Sequence, residues 1–313
     1  MPASSKTLTD RALKWVVDAV HPEASVLSVR QLHGGISSLV HSVSLLVTGE
    51  ERAFVLRQFD NTEWVQNEPE LAYREAESLR RAARVSGVQT PEIVAFDETG
   101  SRCGTPAVLM TRLEGRVVLE PTDTSSWLNG MAGALARIHA VEVDDCPWTF
   151  APYSDAASLD ASSWSKIPGK WRTAAGIVAE SRPSYKKRFI HRDYHPANIL
   201  WNEGEVSGVV DWVNGCMGPA GVDVGHCRVN LASLFGVRTA DEFLSAYVGH
   251  AGTSFTYDPY WDIITLIDFA PPEVYGGWTA LGITGLTQEM MIERLDDYLI
   301  SLLERVSGWP AKR

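Results

Sequence analysis

The 313-residue sequence predicts an α+β fold in two lobes, a strand-rich one followed by a larger, mainly helical one. Three observations lead there. Between residues 25 and 60 the chain breaks into short Val-, Leu- and Phe-rich runs separated by Gly34-Gly35 and by Thr48-Gly49-Glu50-Glu51, the pattern of strands joined by tight turns. From about residue 122 onward apolar residues recur at helical spacing instead. The change falls near Glu114-Gly115, so the expected lobes are 1–113 and 114–313.

Each element follows from its residues. The stretch TLTDRALKWVVDAV reads as a short helix with Thr9 or Asp10 as N-cap. Three strands then span residues 25–60. A helix follows in EPELAYREAESLRRAARVSG, with Leu71, Ala72, Ala76, Leu79 and Ala83 on its apolar face and Gly87 closing it. PEIVAFDETG and TPAVLMTRLEG supply two more strands. In the second lobe, SSWLNGMAGALARIHAVEV aligns Leu128, Met131, Leu135, Ile138 and His139 on one stripe. YSDAASLDASSWSKIPGKW is polar and weakly periodic, as an inserted segment would be. VSGVVDW is a short strand. The last helix, TQEMMIERLDDYLISLLERV, keeps Met291, Leu295, Tyr298, Leu299 and Leu302 on one face.

Composition narrows the function classes. The net charge of −11 opposes binding to nucleic acid or an anionic membrane. No apolar run is long enough to span a bilayer, and MPASSKTLTDRALKW has no apolar leader core. Cys103, Cys146, Cys216 and Cys227 form no CxxC pair and match no zinc spacing. Reduced thiols in a cytoplasmic protein are expected.

The chemistry concentrates in FIHRDYHPANILW, residues 189–201. Three readings of it stand side by side. His191, Asp193 and His195 alternate as metal ligands can, with Asp223 and His226 the nearest further ligands in sequence. The set can be a satisfied polar turn, which for His195 alone is the simpler reading. Or it is a phosphoryl-transfer loop, since Asp211 follows a β-branched run thirteen residues after Asn198. In that case Asp193 accepts the proton of a substrate hydroxyl, and Asn198 and Asp211 hold Mg²⁺ through oxygen. His191 orients the loop.

The first third offers what that chemistry needs. LHGGISSLV supplies a glycine turn, where backbone N–H groups and the Ser37 and Ser38 hydroxyls can touch phosphate. Arg57 ends an apolar strand. Glu75 lies inside the apolar stripe of its helix, between Ala72 and Leu79, and a carboxylate there needs a partner; Arg57 is the natural one.

With these residues in hand, FIHRDYHPANILW followed by GVVDWVNGCMGPAGVDVGH resembles the aminoglycoside phosphotransferase and choline kinase family. GGISSLV, VLRQF, YREAESL, VLMTRLEG and LARIHAV match family segments in the same order, so the resemblance spans roughly residues 30–235. It implies a protein-kinase-like fold, with an antiparallel sheet in the N-terminal lobe. It also implies Mg²⁺-dependent transfer from ATP or GTP to a small-molecule hydroxyl. Under it, Asp193 resembles the base, and Asn198 and Asp211 the metal ligands. Met110 resembles the residue guarding the adenine pocket, with Thr111 and Leu113 pairing with the base through backbone groups. Asp223 resembles a structural support. Arg57 stands where many members carry lysine, which leaves open a nucleotide-binding module without turnover.

For the acceptor, the helical half carries Asp258, Asp262, Asp268, Glu273, Glu289, Glu293, Asp296 and Asp297. Asp262 and Asp268, with Trp261, Trp278 and Tyr275, are the expected wall for a cationic acceptor. An aminoglycoside or other antibiotic fits, as do a sugar, choline or an amino alcohol.

Overall fold

The computed structural model describes residues 7–32, 38–180 and 182–308. The chain divides into two units: residues 1–115 with 207–214, and residues 116–206 with 215–313. Residues 207–214, expected in the second lobe, therefore pack with the first. Val209 N–H donates to Gln89 O at 3.0 Å, and Ser207 Oγ donates to Glu114 O at 2.7 Å. A Cβ at position 208 would strike Leu113 Cδ1, so a larger residue there must displace that side chain.

The first unit opens with α1 (Asp10–Val20), capped by Thr9 Oγ1, which accepts from Ala12 N. Next come β1 (Ser25–Leu32), β2 (Leu39–Val47), β3 (Glu50–Gln58), α2 (Thr62–Asn67), α3 (Leu71–Ala82), β4 (Ile93–Asp97) and β5 (Ala107–Thr111). The strands form one antiparallel sheet in the order β1-β2-β3-β5-β4. Val43, Leu45, Phe54, Leu56, Ala107 and Leu109 join Trp15 and Val16 of α1 in its core. β3 is thus a central strand, and Arg57 near its end is fixed by sheet bonds on both sides. The short α2 was not read from sequence; Asn61 caps it.

The second unit contains β6 (Arg116–Val117), α4 (Thr124–Ala140), α5 (Pro168–Glu180), β7 (Lys187–Ile190), a 3₁₀ turn at Pro196–Asn198, and β8 (Ile199–Asn202). β9 (Glu205–Val209) runs into the first unit's segment. Then follow β10 (Cys216–Pro219), α6 (Ala220–Phe235), α7 (Val237–Ala251), α8 (Pro259–Asp268), α9 (Gly277–Ala280) and α10 (Gln288–Gly308). β7 pairs antiparallel with β10, and β6 with β8. α6 is buried along nearly its whole length. At Gly225 it approaches α8 so closely that a Cβ would lie 2.5 Å from Thr265 Oγ1 and 2.8 Å from Trp261 O.

The segment expected as an insertion is instead tied into this unit. Asp296 of α10 accepts from Ser165 Oγ at 2.7 Å, Lys166 N at 3.0 Å and Trp171 Nε1 at 2.7 Å. Trp171 of α5 is fully buried. Among the described residues no helix is long and apolar enough to cross a membrane.

Candidate active site

In the first unit a buried cation gathers two carboxylates. Arg57 Nη1 donates to Glu75 Oε1 at 2.9 Å and to Asp211 Oδ1 at 2.5 Å, and its Nε donates to Ser38 Oγ at 2.9 Å. Glu75 reaches Arg57 because it shares the buried face of α3 with Leu71, Ala72, Ala76 and Leu79. Asp211 follows β9 in the left-handed region at φ 66°, where aspartate is one of the few tolerated residues.

The charges do not balance. Burial opposes the charge on Arg57, but Asp211 and Glu75 outweigh it and hold the guanidinium above its ordinary value. Burial pushes Glu75 up, Arg57 pulls it down and Asp211 pushes it up again; it settles at about 7. Glu75 Oε2 is buried without a hydrogen-bond partner. Such an atom signals a charge surplus that a further cation or donor would relieve.

Other expected residues in this unit are placed as follows. Ser38 spends its oxygen on Arg57, where a direct phosphate contact was expected; its hydroxyl proton is not used in that bond. Ser37 and the Gly34-Gly35 turn lie outside the described residues. Met110 is buried in β5, opposite Val55 and Ile93. Thr111 N–H is committed to Glu92 O at 2.9 Å. Leu113 follows β5 in irregular backbone and is half-buried.

In the second unit a fully buried carboxylate locks the loop after β7. Asp223 of α6 accepts from His191 N and Arg192 N at 2.7 Å each, and from His139 Nε2 at 3.0 Å. His139 Nδ1 lies 2.6 Å from Tyr247 Oη. Burial opposes the Asp223 charge, yet the His139 hydrogen bond and the His139 and His191 fields keep its carboxyl below the ordinary range. Arg192 sits in the left-handed region at φ 71°. Its Nη2 donates to Ala151 O and Asp268 Oδ2, and its guanidinium stacks 3.8 Å from the Tyr153 ring centroid. Backbone strain of this kind persists only where surroundings over-determine it, and here they do.

This frame presents Asp193. Its Oδ1 lies 3.0 Å from His226 Nε2 and 3.7 Å from His195 Nε2. Its Oδ2 accepts from Asn198 Nδ2 at 3.2 Å. Burial works against its charge, but His195, then the His226 hydrogen bond and field, and His191 hold the carboxyl well below the ordinary range. The side chain remains 30% exposed, so an ionised carboxylate reaches solvent. His191 Nδ1 accepts the Asp193 backbone N–H at 3.3 Å, so that nitrogen is turned to the loop rather than offered as a ligand. Among the described residues no three His, Cys, Asp or Glu side chains are arranged to hold a metal ion by themselves.

Each unit holds one of the two residues expected as metal ligands. Asn198 uses both amide bonds on Asp193, to its O and Oδ2, which leaves the amide oxygen. Asp211 uses Oδ1 on Arg57, which leaves Oδ2 on a side chain 31% exposed.

The residues expected to wall the acceptor are placed as follows. Asp262 is saturated inside the unit: Tyr257 Oη donates to it at 2.6 Å, Tyr298 Oη at 3.0 Å, and Arg228 pairs with it. Asp268 accepts from Tyr153 N, Ser154 N and Arg192. Trp261 and Trp278 are core residues of two apolar clusters, and Tyr275 packs its edge on Trp278. Burying an acid is stable only with such internal partners, and Asp262 and Asp268 both have them.

Sequence reasoning missed the roles of His139 and Arg192, and considered His226 only as a metal ligand. The signals existed: a histidine inside an apolar stripe, and a histidine three residues after Asp223 on one helix face.

Known proteins of similar sequence and fold can be set beside this chain. The family model described as the phosphotransferase enzyme family matches residues 28–263. An aminoglycoside phosphotransferase, APH(4)-Ia, solved as a thermostable mutant with ADP and hygromycin B, is 17% identical with a TM-score of 0.61. The match covers 92% of this chain and 97% of that one. Macrolide 2'-phosphotransferase MphH from Brachybacterium faecium is 15% identical with a TM-score of 0.52, covering 90% and 98%. These similarities establish the fold. The mouse (Mus musculus) acyl-CoA dehydrogenase family member 10 is 23% identical over 167 residues, 47% of this chain but only 16% of that protein's length. With three quarters of its length inside the family model, the chain belongs to the phosphotransferase enzyme family.

Proposed function

We propose that the protein transfers the γ-phosphoryl group of ATP or GTP to a hydroxyl of a small molecule. The observation that carries this reading is Asp193, ionised, accessible and held on a loop whose backbone Asp223 fixes from beneath. The hydroxyl oxygen forms a bond to the γ-phosphorus as the bond to the β,γ-bridging oxygen breaks. The nucleoside diphosphate leaves with that electron pair, and the hydroxyl proton ends on Asp193. Arg57, held by Glu75, supplies the fixed positive charge for the phosphates. Mg²⁺, when bound, neutralises phosphate charge; Asn198 Oδ1 and Asp211 Oδ2 are the oxygens we assign to it. Met110, Thr111 and Leu113 are the residues we assign to the nucleotide base.

The family and its antibiotic-modifying structural neighbours support an aminoglycoside-like or other antibiotic acceptor. One observation favours a second reading. Asp262, Asp268 and Asp296 are each saturated by internal donors, which favours a weakly charged polyol or sugar over a polycation. A screen of ADP release with Mg²⁺-ATP across aminoglycosides, macrolides, sugars and amino alcohols separates the two. Asp193→Ala should lower turnover roughly 10³-fold while ATP still binds. An Asp193→Ala variant as active as wild type would refute the reading, and a protein that binds ATP without any turnover would make it a nucleotide-binding module.

A further inference from the structure

We infer that His226 is a positioning residue for the reacting carboxylate, an inference that rests on the phosphotransferase reading above. Its ring Nε2 lies 3.0 Å from Asp193 Oδ1, closer to that carboxylate than the Asn198 amide or the His195 ring. A histidine in this position donates its Nε2–H to the carboxylate, which fixes the tautomer.

The two oxygens of Asp193 are thereby made different. Oδ1 faces His226 and, at 3.7 Å, His195. Oδ2 has the longer 3.2 Å contact to Asn198. A carboxylate with one free end rotates about its terminal torsion; one anchored through Oδ1 keeps Oδ2 directed at the incoming hydroxyl. In the transfer step the acceptor proton then ends on Oδ2, while Oδ1 retains the His226 bond.

The anchor is rigid because of where α6 sits. Asp223, three residues before His226 on the same helix face, accepts the backbone N–H groups of His191 and Arg192. One helix therefore holds both the loop backbone and the side chain that reacts. Gly225, between them, lets α6 press onto α8 with no room for a Cβ. The His226 ring is additionally flanked by His195, at 5.9 Å between centroids, and His195 by Trp278, at 6.1 Å. His226 is 17% exposed.

The test uses the full chain with Mg²⁺ and ATP, water serving as phosphoryl acceptor. His226→Ala should lower kcat roughly 10- to 100-fold and leave KM for ATP within about twofold, since displacement of a reacting group costs rate rather than binding. His226→Gln, which restores an N–H, should recover most of that loss. In an Asp193→Ala background, His226→Ala should cost nothing further. Equal losses in both backgrounds, or wild-type kcat in His226→Ala, would overturn the inference. Should His226→Ala not fold, the ¹⁵N resonances of His226 decide: the Nε2–H tautomer held in the wild type and released in Asp193→Ala is the expected result, and no change between them overturns it. A wild type that shows no turnover with water or with any acceptor of the screen above defeats the phosphotransferase reading itself, a result distinct from turnover that survives loss of His226.

Discussion

In the first unit one guanidinium, Arg57, answers two carboxylates, and one oxygen of Glu75 is buried with no partner. In the second, Asp223 accepts three hydrogen bonds within 3.0 Å, and both Asp193 oxygens face donors. The difference follows the chemistry proposed for each. A base loop must be rigid before substrate arrives, because positioning is its contribution to rate. A phosphate site receives its missing charges with the ligand, so an unbalanced cluster there is what a nucleotide and its cation would complete.

The largest effect expected from disturbing this contrast is at Asp223. Asp223→Ala leaves His191 N–H, Arg192 N–H and His139 buried without their acceptor, and should cost about 3–5 kcal/mol. Denaturant unfolding of the full chain measures it; a loss below about 1 kcal/mol would mean that the loop is not held from beneath.

Glu75→Gln should have a smaller effect, and one that depends on pH. Glu75 has a raised pKa of about 7 in the folded chain, against an ordinary value of 4.5. At pH below 4.5 both folded and unfolded chains carry the proton. Between 4.5 and 7 only the folded chain keeps it, so this group's contribution to stability falls as pH rises, and above 7 the penalty is constant. Wild type should lose on the order of 2–3 kcal/mol across that window relative to Glu75→Gln. Parallel pH profiles of the two thermal midpoints would contradict the charge surplus.

The smallest effect is expected from Arg57→Lys. An ammonium can serve Glu75 and Asp211 but not Ser38 as well, so about 1 kcal/mol should be lost. ATP affinity should change by less than roughly threefold, read by calorimetry. A much larger loss would show that the guanidinium fork itself is needed.

Much of this contrast can be traced to the chain. The Glu75 position in an apolar stripe required a cationic partner, and the strand before Arg57 ended where that partner was needed. The five strands, the Thr9 cap and the long C-terminal helix followed from period and turn chemistry. What failed were features set by residues distant in sequence. β10 is four residues long and exists because β7 pairs with it. α5 has only Trp171 and Ala174 buried, too few to show a period. The acidic residues of α8 resemble a ligand wall until Arg228, Tyr257 and Tyr298 are found around Asp262. Composition signals an acid; only packing says whether it is already satisfied.

Amide hydrogen exchange, followed without and with Mg²⁺-ADP, tests the contrast most directly. Peptides spanning 189–198 should be protected in the ligand-free protein and unchanged on adding nucleotide, because their N–H groups are bonded internally. Peptides spanning 208–214 should slow clearly when Mg²⁺-ADP binds. Free exchange of the 189–198 loop before ligand, with both segments slowing together, would contradict a base side built in advance and a phosphate side completed by its ligand.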